Sequence, residues 1–311
     1  MPKPTTVREF FKQFPDDDAC LAHLFNVRFG QDHACPKCER EARWYPIKAE
    51  RAYSCQWCGH HIHPTVGTIF EKSRTSLQTW FYVIFLFTTT RHGVSAKEIQ
   101  RQTGVTYKTA WRMGQKVREH MAEIDGEAPL GGAGHTVEID ETMVGGVAKG
   151  KRGRGAANKT VVFGMLQREG DVMVKVVPNV RRATLQPIIE ANVVKGTMVD
   201  TDELKSYNGL SEAGYDHGRV NHSAGQYVAE DGATVNAIEN FWRHLKCSIK
   251  GTHTSVSPEY LERYAKEFEY RFNRRMRPET MLSELLSTYP DAGGPYPASP
   301  DRRGHRSHAL G

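Results

Sequence analysis

No stretch of this chain stays apolar for the ~20 residues that a membrane-spanning helix needs. The most apolar run, WFYVIFLF at residues 80–87, is long enough only for a buried helix. The opening MPKPTTVREFFKQF has no long apolar segment of the kind that marks a secretory signal. Cysteine is scarce as well, with six in 311 residues. Four of the six stand as two C-x-x-C pairs and two stand alone, which is metal arithmetic and not a secreted disulfide framework. A protein of the reducing cytoplasm is therefore expected, with no membrane partner. Internal repeats are absent apart from the echo between the two cysteine pairs. Charge of one sign is not in short supply: 42 Lys and Arg stand against 36 Asp and Glu, a net +6. That modest excess points only weakly to a polyanionic partner and suits a somewhat basic enzyme equally well.

The length allows two or three domains. Residues 5–28 carry a rough helical stripe of Phe10, Phe11, Phe14, Leu21, Leu24 and Phe25, broken near Pro15. CPKC (35–38) and CQWC (55–58) come next, with a short hairpin predicted between them. Cys35, Cys38, Cys55 and Cys58 are the expected ligands of one structural Zn²⁺, because tetrahedral zinc takes four soft donors. A redox C-x-x-C competes for one pair alone, but not for two pairs at ribbon spacing. His60, His61 and His63 are read as solvated or DNA-facing, since four cysteines already fill the site.

After the apolar helix at 75–90, residues 95–119 read as helix, turn, helix. Ser95 and Glu98 form a capping box, Thr103-Gly104-Val105 makes the turn, and Thr106 caps the second helix. Lys108, Arg112 and Lys116 are expected on the exposed face of that second helix, as a recognition helix would present them to DNA. An ordinary helix pair with a solvated basic face is the alternative. Residues 125–134, DGEAPLGGAG, have the composition of a linker.

From residue 135 the pattern changes to strands at 135–144, 159–168 and 172–178. After them come a helix at 181–192, a strand at 197–200, a turn-rich stretch, a possible strand near 219–220 and helices at 235–249 and 258–274. That order predicts an RNase H-like α/β domain at 135–280, preceded by a helix and zinc ribbon (1–74) and a helix-turn-helix region (75–124). A disordered tail is predicted over 291–311.

Three acidic anchors stand in this second half: Asp140 in VEIDET, Asp202 in MVDTDELKSY and Glu239 in NAIENFWRHLK. A carboxylate in an apolar strand is costly unless paired or metal-bound. If the first and fourth strands are neighbours, Asp140 and Asp202 can meet. Two Mg²⁺ (or Mn²⁺) ions held by such acids would drive phosphodiester hydrolysis and transesterification. Lys246, two helical turns past Glu239, could contact a phosphate. Surface acids and helix caps are the bland reading of any three carboxylates. Lys149, Lys151, Arg152, Arg154 and Lys159 form a glycine-rich basic loop beside the first acid, suited to a phosphate backbone or merely to solubility. His222 could touch substrate or a catalytic water, and a structural hydrogen bond serves it equally well.

The words themselves resemble DDE-type insertion-sequence transposases of the ISXO-type group with an N-terminal zinc ribbon. The similar stretches are CPKC…CQWC, GTIF (67–70), KTAWRM, VEIDETMVGG, KRGRG (151–155), TDELKSYNGL (201–210), VNHSAGQYV (220–228) and NAIENFWRHLK…YRFNRR (236–275). This resemblance implies an RNase H-like core and metal-dependent cutting and joining of DNA, with Asp140 and Asp202 as the first two catalytic acids. The third is Glu239, with Asn236 as the alternative because Asn can replace Glu in this group. Glu267, Arg271 and Arg274 also resemble a pattern of the group, either an ion-paired face near the site or a surface i,i+4 pair. The implied partners are the element's terminal inverted repeats and target DNA, met by an oligomer of at least two copies in the nucleoid. The rival is a catalytically inactive, transposase-derived DNA-binding regulator.

Overall fold

In the computed structural model the described residues are 5–47, 50–145, 159–220, 229 and 232–290. The chain forms two compact units, one running to Ile124 and resumed at Arg277, the other spanning Asp125–Met276.

The first unit begins with α1 (Val7–Gln13) and α2 (Asp17–Arg28). Thr6 and Glu9 form a capping box on α1, and Asp16 caps α2 through the Ala19 amide, so the break at Pro15 is a stop and then a new start. Next is a three-stranded antiparallel sheet, β1 (Trp44–Ile47), β2 (Ala52–Cys55) and β3 (His61–Ile62). Then come α3 (Leu77–Thr89), α4 (Ala96–Thr103) and α5 (Tyr107–Asp125). Ser95 caps α4, and Gly104 ends it in the left-handed region at φ 72°, where glycine carries no Cβ penalty. Thr106 accepts from the Thr109 amide at the start of α5. Ala110, Met113, Val117 and Met121 give α5 a buried face.

The second unit opens inside the expected linker. Leu130 is buried, and β4 (Leu130–Gly131) pairs in parallel with β8 (Val193–Val194). Asp125 is buried and ion-paired to Arg274. Glycine content marks residues 125–134 as loose, but tertiary pairing orders Asp125 and Leu130. The main sheet contains β5 (Thr136–Gly145), β6 (Lys159–Gln167), β7 (Val172–Val177), β9 (Met198–Thr201) and β10 (Asp216–Arg219), in the order β10-β9-β5-β6-β7. β5, β6 and β7 pair antiparallel, while β9 runs parallel to β5 and β10 parallel to β9. The helix α6 (Arg182–Asn192) packs on one face through Leu185 and Ile189 with Val137, Ile139 and Phe163. On the other face α7 (Asn236–Ser248) and α8 (Leu261–Asn273) enclose Val144, Val162, Val174, Ile238, Phe241 and Phe268. Side chains of α8 also satisfy the outer edge of β7: Asn273 accepts from the Val172 amide and Glu269 from the Val174 amide. A sheet edge covered in this way offers no template for another strand.

The chain then re-enters the first unit with α9 (Met281–Ser287), which packs on α2 and α3. Sequence periodicity alone does not reveal this short helix.

Candidate active site and zinc centre

The four sulfurs of Cys35, Cys38, Cys55 and Cys58 lie within 4.8 Å of one another. Cys35 Sγ stands 3.6 Å from Cys58 Sγ, and Cys38 Sγ 3.9 Å from Cys55 Sγ. A tetrahedron with Zn–S of about 2.3 Å has edges of about 3.8 Å, so the donor set fits zinc in number, softness and spacing. The Trp57 amide donates to Cys55 Sγ at 3.4 Å, a contact of the kind that orients thiolate ligands. His61 and His63 are exposed, and His61 faces Glu50 at 3.8 Å, away from the ligand set.

The acidic site begins with strand register. Glu138 is aligned with Asp200 and Ile139 with Thr201 across the parallel β5–β9 pair. The same alignment carried one residue further sets Asp140 opposite Asp202, just past the end of β9. Asp140 faces α7, where the Trp242 indole N–H donates to its Oδ2 at 3.0 Å. Burial pushes the Asp140 carboxyl up to about 8, and the negative charges of Glu141 and Asp202 add to the rise. Lys246 is exposed but partly desolvated, which lowers its pKa against the pull of Asp140. Crowded carboxylates of this kind fit a divalent cation, which would relieve their mutual repulsion.

Glu239 and Asn236 are exposed in the first turn of α7. The charges that raise the Asp140 carboxyl include those of Glu141 and Asp202. Among the described residues the four cysteines are the one group of three or more His, Cys, Asp or Glu drawn together closely enough to share an ion. Asp140 thus feels the charge of Asp202, Lys246 feels that of Asp140, and Glu239 stands in the first turn of the helix that carries Lys246.

Sequence reasoning passes over several neighbours. Tyr207 is fully buried and donates its hydroxyl to Glu141 Oε2 at 2.7 Å. Glu138 and Asp200, each 1 % exposed, share the guanidinium of Arg168. The alternation of VEID puts Glu138 on the same face as Asp140, which is the available signal.

Lys108 and Arg112 are exposed on α5 as expected. Lys116 is a correction: it is half-buried, and its Nζ donates to the Ile69 carbonyl at 3.2 Å. It lies one helical turn beyond Arg112 on nearly the same face of α5, where the GTIF segment covers that face through the Ile69 carbonyl. The surface-pair reading of Glu267, Arg271 and Arg274 is overturned as well. All three are buried, with Arg271 on Glu267 at 2.7 Å and Arg274 on Asp125. Lys149, Lys151, Arg152, Arg154, His222 and the tail at 291–311 lie outside the described residues.

Comparison with known proteins agrees with both halves of this architecture. The ISXO2-like transposase domain matches residues 129–273, and the transposase zinc-ribbon domain matches residues 15–61. An uncharacterized transposase-like protein of Haemophilus influenzae is 42% identical over 98 residues, covering 32% of this chain and 77% of the relative. An uncharacterized protein in transposable element ISH50 of Halobacterium salinarum is 27% identical over 300 residues, covering 89% of this chain and 98% of the relative. The chain therefore falls among the transposases, and within them it belongs to the ISXO2-like family. No helix among the described residues is long and apolar enough to cross a membrane.

Proposed function

We propose that this transposase cuts the ends of its insertion element and joins the freed 3′-hydroxyls to target DNA, with Asp140 and Asp202 holding divalent metal. Glu239 from α7 is the third donor in this reading, with Asn236 as its alternative. The observation that carries it is the parallel β5–β9 register, which ends at Ile139 and Thr201 and so brings Asp140 and Asp202 next in line, with burial and like charge holding Asp140 far above the usual carboxylate range. The sheet order, with three antiparallel strands and then two parallel ones on the far side of the first, supports an RNase H-like catalytic domain.

Asp140 and Asp202 would hold the Mg²⁺ or Mn²⁺, which would supply activation of a water or 3′-hydroxyl and stabilisation of the leaving oxygen. The protein's own groups hold the frame for that chemistry. Trp242 fixes one oxygen of Asp140 by its indole N–H. Lys246 sets positive charge beside Asp140, where a phosphate could meet it. Lys108 and Arg112, exposed on the second of two helices joined by a tight turn, are proposed to engage the terminal inverted repeat in a helix-turn-helix manner, with the zinc ribbon beside them. Joining two ends to one target calls for at least two copies on DNA, acting in the nucleoid.

The test is nicking of a labelled element end by the full-length protein in Mg²⁺ or Mn²⁺, with strand-transfer products scored. Wild type should cut, and Asp140→Ala and Asp202→Ala should bind the end without cutting it. Binding by all three with cutting by none would leave a non-catalytic DNA-binding regulator.

A further inference from the structure

The first turn of α7 is fastened to the sheet by an arrangement that its own sequence does not supply. Helix starts leave amides without intrahelical partners, and a side chain at the N-cap normally answers one of them. The N-cap here is Val235, which has no such group, and the neighbouring Thr234 hydroxyl answers the Asn236 amide, at 3.2 Å. Glu138, on β5, takes that place from across the domain: its Oε2 accepts from the Ala237 amide at 2.8 Å and from the Ile238 amide at 3.1 Å. Asp200, aligned with Glu138 on β9, accepts from the Thr234 amide at 3.1 Å. Between the two acids lies Arg168. Its Nε meets Glu138 Oε1 at 2.8 Å, and its Nη2 meets Asp200 Oδ2 at 2.6 Å and the Thr234 carbonyl at 3.0 Å.

We propose that Glu138, Arg168 and Asp200 are positioning residues that lock α7 to β5 and β9, and so set where Glu239, Asn236 and Lys246 stand relative to Asp140 and Asp202. Glu138 and Asp200 precede those two acids by one strand repeat, on the same strands and the same side of the sheet. Any slide or tilt of α7 must break charged hydrogen bonds, which are stronger than neutral ones. Glu138 and Asp200 are buried and Arg168 is part-exposed at 32 % of its side chain, so the triad adds little net stability over well-packed apolar side chains, and its proposed role is to hold one arrangement. Gly218 leaves the room it needs, since a Cβ there would lie 2.5 Å from Asp200 Oδ1 and 2.7 Å from the Ala233 Cβ. The metal side of this inference rests on the proposed function, but the lock itself does not.

Full-length Glu138→Ala, Glu138→Gln and Arg168→Met proteins test it, with amide hydrogen exchange and Mn²⁺ binding read at a temperature where circular dichroism shows each one folded. The expected result is faster exchange confined to the α7 amides, with β5 and β6 protected as in wild type. Mn²⁺ affinity at the site that Asp140→Ala removes should fall about tenfold or more, the usual cost of losing an outer-shell partner. Cleavage should fall with it, least in Glu138→Gln, which keeps an acceptor for the two amides, while binding to the element end is unchanged. Wild-type α7 exchange in the folded variants would overturn the lock. Faster exchange spread evenly over the sheet would also overturn it, by showing general fold support. Wild-type Mn²⁺ affinity with a loosened α7 would overturn the positioning of the site. If Asp140→Ala leaves Mn²⁺ binding intact, the metal reading fails, and the α7 exchange pattern alone decides whether the lock exists.

Discussion

Trp242 packs closely against Gly164 and hands its indole N–H to Asp140, the residue that Gly164 faces across the β5–β6 pair. A Cβ at position 164 would stand 2.6 Å from both Cη2 and Cζ2 of the indole. Any side chain there therefore displaces the ring. The glycine in β6, the tryptophan in α7 and the acid in β5 form one mechanical unit, and the glycine's part in it is to be small.

Two substitutions should then share a phenotype. Trp242→Phe keeps most of the packing and removes the donor, so a stability loss of about 1–2 kcal/mol is expected. Gly164→Ala overpacks the same spot and should cost about 1–3 kcal/mol. Both should slow end-nicking by about tenfold or more, because each loosens the carboxylate of Asp140. Urea midpoints and single-turnover nicking rates measure the two effects separately. A Gly164→Ala protein that nicks at the wild-type rate would refute the coupling.

The cysteine cluster gives a metal-removal prediction. Cys35→Ser, or a strong chelator, should release one zinc per chain and unfold the small β1–β3 sheet, whose three short strands cannot build a sufficient core without the metal. The Asp125–Met276 unit should stay folded, since its two hydrophobic clusters contain none of the four ligands. Cys20→Ser and Cys247→Ser should keep the metal. Zinc stoichiometry by atomic absorption, with limited proteolysis of the two regions, checks this, and full zinc in Cys35→Ser would rule out four-cysteine ligation.

Those elements whose signals are local are readable from the chain alone. Pro15 with Asp16, Ser95 with Glu98, and Gly104 at a positive φ each mark a helix boundary within a few residues of the feature that causes it. The paired cysteines announce their metal because knuckle spacing is itself a short-range constraint. Strand order in the second unit gives Asp140 and Asp202 a reason to meet. What cannot be read depends on distant partners. Glu138 looks like any polar residue in an alternating strand, yet it caps a helix about a hundred positions away. Asp125 sits in a glycine-rich stretch and is buried against Arg274. MLSELLS at 281–287 is too short to declare itself, and its place is set by groups from α2 and α5. Lys116 shares a helix face with Arg112 and differs in that a distant segment, through the Ile69 carbonyl, covers the helix at its level.

The burial of Asp140 beside other acids predicts a conflict between stability and function in metal-free protein. Burial and the charges of Glu141 and Asp202 raise this carboxyl from the usual 3.8 to about 8. The folded chain therefore keeps a proton that the unfolded chain loses, and stability declines as pH rises from about 4 to about 8. Asp140→Asn should be more resistant to urea than wild type at pH 8 in chelator, with the difference closing near pH 4. Adding Mg²⁺ should stabilise wild type and leave Asp140→Asn unmoved. An Asn variant weaker than wild type at pH 8 would contradict the raised Asp140 carboxyl.

His120 predicts the opposite slope for the first unit. Its Nε2 hydrogen-bonds to the Leu285 carbonyl at 2.9 Å and its ring stacks on Tyr289 at 5.3 Å and 13°. His23 does the same for the Leu286 carbonyl at 2.9 Å, so two imidazoles answer consecutive carbonyls at the open end of α9. Burial pushes His120 down to about 4 from the usual 6.5, and lowers His23 as well. Here the unfolded chain takes up the proton first as pH falls. Stability is then full above about 6.5 and is lost progressively toward pH 4, by a few kcal/mol for a fully buried ring. The unfolding midpoint of the first unit should drop between pH 7 and pH 5.5, and His120→Gln, which can still donate to Leu285 but cannot titrate, should show a flatter response. Equal slopes in the two proteins would mean that His120 does not carry the pH dependence of the α9 docking.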